Sequence, residues 1–368
     1  MAGPLEGVRI IEFAGIGPGP FCGMMLADHG ADVVCVTRTG ARVDPTDTLG
    51  RSRRTIALDL KNPDDVATAR LLVRDADGLI EGYRPRTMER LGLGPDVLLG
   101  ENPRLIYGRM TGWGQTGPYA PYAGHDLNYA SLSGALHAIG RAGDRPTPPP
   151  AMIADFGGGG MLLAFAMVAA ILHARVTGRG QVVDCAMTEG SGLLMTAVYG
   201  LYGAGDWRDD RGRNLIDSGA HFYDSYETAD GKYISIGAIE PQFYREMRDL
   251  LGIADDPAFD DQNDQSRWPG LKERMIGIFK SRTRDEWCAL LEHTDVCFAP
   301  VLGMADAPSH PHNVARGAFI ELEGIAQPAP APRYSGTPLD APRRPAALDG
   351  DELRRWLAAG RAKDGSRV

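Results

Sequence analysis

Short continuous apolar runs alternate with helically patterned stretches through the first half of the chain. "VRIIEFA" (8–14) predicts a strand, "GIGPGP" (15–20) a turn, "FCGMMLADHG" (21–30) a short helix closed by glycine, and "ADVVCVTR" (31–38) a second strand. Together they make a βαβ unit. The pattern recurs: a helix near 63–75, then strands at "DGLIEGY" (77–83), "RLIYGRM" (104–110) and "GQVVDCAM" (180–187), the last after a long apolar helix ending at Gly178. Strands that are apolar on both sides need cover on both faces, so the expected class is α/β, a doubly wound, Rossmann-like parallel sheet in a large domain.

After about residue 190 the character changes. A polar, glycine-rich stretch is followed by a strand-like "GKYISIGAI" (231–239) and by helical segments up to about 295. Residues 305–347 are too dense in proline for a compact element, and "DGDELRRWLAAGRA" at the end reads as a helix. The expected organisation is a large domain over 1–190, a linker over 191–222, an inserted smaller α+β domain over 223–304, a return linker over 305–335, and the rest of the large domain over 336–368.

Composition narrows the function. At 368 residues and 43% hydrophobic, the chain can bury a sizeable core, and a net charge of −9 argues against a general nucleic-acid binder. No signal segment opens it, and the longest apolar run, "MLLAFAMVAAIL" (161–172), is shorter than the roughly 20 residues of a membrane span, so a cytoplasmic protein without membrane contact is expected. Cys22, Cys35, Cys185, Cys288 and Cys297 are odd in number with no CxxC spacing, which indicates neither disulfides nor a metal site. Between residues 38 and 109, however, arginines and lysines outnumber acids. That excess fits a solvated basic face or a pocket for a small polyanion.

The Gly-rich turn at 15–20 invites a dinucleotide reading and departs from it. Pro20 stands where the third glycine belongs, and the second strand ends in Thr37–Arg38 where an acid would hold a ribose hydroxyl. Arg38 suits a phosphate instead. Three further stretches carry ionisable groups. In "GHDLNYASLSG" (124–134), His125 on its own could pack, bind a metal or move a proton. In "ADFGGGG" (154–160), Asp155 is placed to cap a helix, yet glycines cost near 1 kcal/mol each against alanine in a helix, so four in its first turn imply close approach of a ligand. Bare N–H groups there would also stabilise a developing oxyanion. Glu240, just before Pro241, is held extended at a strand end.

"AGIGPGP", "EGYRPRTMERLGLGP", "YGRMTGWGQTGP", "GHDLNYASLSG", "ADFGGGG", "GRGQVVDCAM" and "GAIEPQFY", in that order, resemble the family III CoA-transferase (CaiB/BaiF) fold and, within it, the α-methylacyl-CoA racemases. The resemblance runs from residue 3 to about 335. It implies a racemase acting in lipid metabolism that interconverts (2R)- and (2S)-2-methylacyl-CoA thioesters, needs no metal or other cofactor because CoA is part of the substrate, and forms an interlocked homodimer. It makes His125 and Asp155 the two proton-transfer groups and Glu240 the partner that orients the histidine. It places CoA contacts on Arg38, the segment Leu58, Asp59, Leu60 and Lys61, then Gly82, Tyr83, Arg84 and Arg90, and the run Gly124, His125, Asp126, Leu127, Asn128 and Tyr129. Cys35 and Thr37 depart from the pattern within the second strand, and the tail after 335 matches weakly.

Two bases suit the reaction, because one base would mostly return the proton it removed. Neutral His125 and protonated Asp155 serve the (2S) direction, with roles reversed in the other, which requires burial to raise the Asp155 carboxyl. A CoA transferase of the same fold would use Asp155 as nucleophile instead. A non-catalytic acyl-CoA-binding protein would account for the arginines alone.

Overall fold

The computed structural model describes residues 2–361. Its strands are β1 (Arg9–Phe13), β2 (Asp32–Thr37), β3 (Arg54–Ala57), β4 (Gly78–Glu81), β5 (Ile106–Thr111), β6 (Gln181–Ala186), β7 (Tyr223–Glu227), β8 (Tyr233–Gly237), β9 (Phe298–Val301), β10 (Phe319–Leu322), β11 (Ile325–Pro328) and β12 (Ala346–Ala347). The helices are α1 (Pro18–Asp28), α2 (Pro63–Arg74), α3 (Thr87–Arg90), α4 (Pro95–Glu101), α5 (Asp126–Leu132), α6 (Ala135–Ala138), α7 (Leu162–Thr177), α8 (Met187–Leu194), α9 (Thr196–Ala204), α10 (Pro241–Leu250), α11 (Trp268–Phe279), α12 (Arg284–Leu291), α13 (Pro311–Arg316) and α14 (Gly350–Arg361). A π-helical stretch, Met152–Met161, leads directly into α7.

Two compact units divide the chain: one takes the residues up to Ser133, Pro149–Met195 and those from Gly317 on, the other Gly134–Pro148 and Thr196–Arg316. The first holds a parallel seven-stranded sheet in the order β12-β3-β2-β1-β4-β5-β6. Ile10, Ile11, Phe13, Val33, Val34, Leu79, Ile80, Ile106 and Tyr107 are buried, as strands covered on both faces require. The second unit is α+β: an antiparallel sheet β7-β8-β9 packs Phe222, Tyr226, Ile234 and Ile236 against Met247, Trp268, Met275, Phe279 and Trp287 of its helices.

The divisions differ from the expected ones in instructive ways. The stretch 191–222 is not wholly linker, since α8 ends within it and α9 occupies its middle. Residues 134–148 belong to the second unit although they precede the π-helical stretch. The proline-dense return carries the hairpin β10–β11 and the short strand β12 at the sheet edge. Residues 362–368, expected to belong to the large domain, lie outside the described residues. Helix α1 begins at Pro18, earlier than expected, because proline at the first helical positions lacks an N–H that would be unsatisfied there in any case.

Helix α7 and the π-helical stretch together form one span, Met152–Thr177, long and apolar enough to cross a membrane by length and composition, with 44% of its apolar window buried. Length measured on the uninterrupted apolar run alone missed this, since the helix extends through the glycines. Leu163, Ala164, Met167 and Ile171 are buried as the helix packs on α1, β5 and β6, which is the placement of a core helix.

Candidate active site

Strand order reverses between β1 and β4: the chain builds outward through β2 and β3, then returns to lay β4, β5 and β6 on the other side. Ligands of open α/β sheets bind outside the carboxyl ends of the strands at such a point. The residues singled out in the first unit gather there. Arg38 directly follows β2, Leu58–Lys61 follow β3, Gly82–Arg84 follow β4, and the loop after β5 leads to His125 at the start of α5.

His125 is the N-cap of α5, with extended φ and ψ. Its N–H donates to Asn128 Oδ1 at 3.1 Å and its carbonyl accepts from the Asn128 N–H at 2.8 Å, which fixes the backbone and leaves an exposed imidazole. The neighbouring Asp126 turns inward and is buried. Its Oδ1 accepts the N–H of Ala154 at 2.7 Å and of Asp155 at 2.9 Å, satisfying donors in the first turn of the π-helical stretch. Adjacent residues of one loop therefore present one ionisable group outward and tie down the backbone of another.

Asp155 is half-buried beside Gly17, where an added Cβ would come within 3.0 Å of Asp155 Oδ2. Gly17 also has φ +71°, so glycine is required there for both conformation and space. Burial pushes the Asp155 carboxyl up to about 6, with a further push from the Asp126 charge and an opposing pull from His125. The two groups assigned to proton transfer thus lie within electrostatic reach of each other. The Tyr129 hydroxyl is raised chiefly by burial and then by the charge of Asp155, while Arg84 opposes it. Its ring packs edge-on against Trp113 at 4.7 Å between centroids and occupies the space that side chains at Gly112 and Gly124 would need.

The glycines after Asp155 serve a different purpose from the one expected. A Cβ at Gly158 would lie 2.5 Å from the Ser191 nitrogen, at Gly160 2.7 Å from the Pro18 carbonyl oxygen, and at Gly190 1.8 Å from the Gly158 carbonyl oxygen. They let the π-helical stretch pack backbone to backbone between α1 and α8. The N–H groups of Ala154 and Asp155 are bound to Asp126, and that of Phe156 reaches the Ala151 carbonyl, so these are not bare donors awaiting an oxyanion.

Of the arginines that sequence grouped together, several are already paired with acids, some of them buried. Arg51 pairs with Asp28 at 2.6 Å, Arg53 with Glu12, Arg54 with Asp32 and Arg70 with Glu101. Buried Arg109 bridges Glu81 and Glu89, each at 2.9 Å. Glu81, raised by burial and held down by the Tyr83 N–H and Arg109, accepts that N–H at 2.8 Å and so anchors the Gly82–Arg84 loop. Among the described residues Arg38, Lys61, Arg84 and Arg90 make no ion pair, and Lys61 and Arg90 line one cavity of about 510 Å³. Of the other expected contacts, Leu58 is buried in the core, Asp59 accepts the Lys61 N–H at 3.0 Å, and Leu60 packs partly against the core. Leu127 and Asn128 are exposed beside His125.

Glu240 lies in the second unit. It is exposed at the N-cap of α10, extended before Pro241 as expected, and the turn leading to it is pinned by Gln262, whose amide donates to the carbonyls of Ala238 and Ile239 at 3.0 and 2.8 Å. Among the described residues no group of three or more His, Cys, Asp or Glu could hold a metal ion.

The family model for CoA-transferase family III matches residues 5–352. The chain belongs to this family. It is 44% identical over 335 residues to a mouse protein named alpha-methylacyl-CoA racemase, spanning 91% of this chain and 87% of that one, and 43% identical with the same coverage to its human namesake. A protein of Chloroflexus aurantiacus named succinyl-CoA–D-citramalate CoA-transferase is 31% identical, spanning 91% of this chain and 89% of its own. The solved structure of a CAIB/BAIF family protein from Brucella suis superimposes with a TM-score of 0.81 at 26% identity, covering 99% of this chain and all of that one. Among these relatives, identity is higher to the racemases than to the transferase.

Proposed function

We propose that this protein interconverts the (2R) and (2S) epimers of 2-methylacyl-CoA thioesters by two-base proton transfer. The observation that carries the reading is a carboxyl raised to about 6, Asp155, within electrostatic reach of His125, in a chain 43–44% identical to two proteins named alpha-methylacyl-CoA racemase. In the (2S) direction neutral His125 removes the α-proton and protonated Asp155 delivers one to the opposite face of the enolate; in the other direction the roles exchange. A carboxyl raised to about 6 can both give and take a proton near neutral pH. What favours acid–base work over the transferase chemistry named for the Chloroflexus relative is the higher identity to the racemases, 43–44% against 31%.

CoA is held by Arg38, Lys61, Arg84 and Arg90, with the backbone of Leu58–Leu60 and Gly82–Tyr83 and the loop Gly124–Tyr129 along its path. The substrate carries CoA and no further cofactor enters the reaction. The working form is a homodimer in which Glu240 of one chain orients His125 of the other. In support of an assembly, one face of α7 and the residue before it, Met161, Phe165, Val168, Leu172 and Val176, recurs at helical spacing and is apolar yet 38 to 80% exposed. The protein acts in the cytoplasm on lipid-derived thioesters.

The deciding experiment incubates one epimer of a 2-methylacyl-CoA with the protein in D2O, following α-deuterium by NMR and configuration by chiral analysis. Deuterium incorporation with loss of configuration, and no need of an acyl acceptor, is the expected result. Strict dependence on a free carboxylate acceptor with no deuterium at the α-carbon would assign the transferase reaction instead, and binding without either change would leave a carrier of acyl-CoA.

A further inference from the structure

The active-site residues of the first unit lie at the carboxyl ends of its strands. At the opposite, amino-terminal ends of β1, β2 and β3 is a separate cavity of about 720 Å³, lined by Arg9, Asp32, Arg54, Arg343, Arg344 and Arg355 among others, with Trp356 in its wall. Its charge is not balanced by its own carboxylates. Arg54 is matched by Asp32, and Arg53, also in the lining, is matched by Glu12. That leaves Arg9, Arg343, Arg344 and Arg355, none in an ion pair among the described residues, against Glu6 and Glu352. Arg9 is buried and lies over the Trp356 ring at 3.9 Å; its guanidinium donates to the carbonyls of Asp75 and Trp356, and its backbone N–H donates to Asp77 Oδ2 at 2.8 Å. The charges of Asp32, Asp75 and Asp77 also act on it, so the exposed Arg343, Arg344 and Arg355 are the cations left for a ligand.

Two buried donors in the same lining lack an acceptor. Trp356 is 3% exposed and its Nε1 has no partner, and Arg53 is 5% exposed with its Nε likewise unpaired. Both donor atoms are themselves closed to solvent, and Arg53 also borders the cavity beside Gly15 and Gly17 at the other end of the sheet, so the case for a ligand rests on the unpaired guanidinium groups. The volume lies within the range of small-molecule sites, and guanidinium groups offer paired N–H donors that match phosphate oxygens.

We propose that this cavity is a second ligand site, for a small phosphate-bearing molecule of at least two negative charges, bound independently of CoA at the far edge of the sheet. Its location predicts that CoA does not compete. The test titrates inorganic pyrophosphate into the full chain by calorimetry, with CoA present at saturation to fill the other phosphate site. One pyrophosphate per chain should still bind, and Arg344→Glu/Arg355→Glu, two exposed positions whose change leaves CoA binding intact, should weaken it at least tenfold. Absence of binding, loss of binding when CoA is added, or an undiminished affinity in the double variant would each overturn the proposal. So would a change in oligomeric state of the double variant with no pyrophosphate bound by either form, which would assign the cavity to contact between copies of the chain.

Discussion

The Asp126 carboxylate accepts the backbone N–H of Asp155 at 2.9 Å, so the residue next to one proposed proton-transfer group in sequence holds the other in space. The same carboxylate raises the Asp155 carboxyl by its charge. Asp126→Asn keeps an acceptor oxygen and removes that charge. Racemisation in either direction needs the same state of the pair, one proton shared between His125 and Asp155, so kcat/KM for the two epimers should follow one bell-shaped curve. In Asp126→Asn the acid limb should move to lower pH in both directions. Asp126→Ala, which also removes the cap, should lower kcat more than it weakens CoA binding. An acid limb unmoved in Asp126→Asn would show that the charge does not act on Asp155.

The raised Asp155 carboxyl has a thermodynamic counterpart. Its folded value, about 6, lies above the ordinary 3.8, so the folded state favours the proton and ionisation destabilises it. That destabilisation is fully present above about pH 6 and disappears as pH falls towards 3.8. Asp155→Asn is therefore expected to unfold at higher urea than the parent at pH 7.5, with the two converging near pH 4. A variant less stable than the parent at pH 7.5 would mean that the carboxylate makes favourable contacts outweighing its burial.

Much of this was legible in the residues, and the failures share a cause. Apolar runs showed β1, β2, β4 and β5 because a strand buried on both faces needs them, and β6 was legible from its run as well although it lies at the sheet edge and buries only Cys185 and Ala186. Strand β3 went unseen, since "RTIA" is short and opens on an arginine that is satisfied by Asp32. Sequence also could not show which cations are paired: Arg51, Arg53 and Arg109 look like Arg38 in sequence, and only the fold brings Asp28, Glu12 and Glu81 to them. The four glycines were read as room for a ligand, because sequence could not say whether the close neighbour was ligand or backbone.

Backbone it is, and the contact at Gly190 makes a test. A Cβ there would lie 1.8 Å from the Gly158 carbonyl oxygen, and neither group is the end of a flexible side chain. Gly190→Ala must force α8 from the π-helical stretch, at the upper part of the about 1–3 kcal/mol typical of overpacking. Urea denaturation should show that loss, and turnover should fall because the turn carrying Asp155 moves with it. A variant as stable as the parent would mean that the two segments are less tightly joined.

The unpaired cations divide from their paired neighbours in a way that binding can read. Lys61 and Arg90 line one cavity with Arg70, whose guanidinium is engaged by Glu101. Hydrogen bonds to charged groups contribute about 1.5–3 kcal/mol, so Lys61→Ala and Arg90→Ala should each weaken CoA roughly 10- to 100-fold. Arg70→Ala should weaken it far less, and affinity should fall with salt in the parent. Equal effects of all three substitutions, by calorimetry, would remove the distinction.

The exposed stripe on α7 supplies the last expectation. Phe165 is 71% exposed, Leu172 64% and Val176 80%, on a helix whose other face is core. If a second chain covers them, dilution should not release a folded monomer, because the buried face is part of what stabilises each chain. Phe165→Glu/Leu172→Glu should then give monomer or insoluble protein, whereas the same change on a face that stays in water would improve solubility. The shared site follows from the same assembly. Chains carrying Asp155→Ala and chains carrying Glu240→Ala are each impaired, yet a purified heterodimer of the two should regain activity, since pairing Glu240 of one chain with His125 of the other leaves one site with both residues intact. Light scattering that shows an active monomer, or a heterodimer no better than its parents, would place Glu240 outside the partner's site.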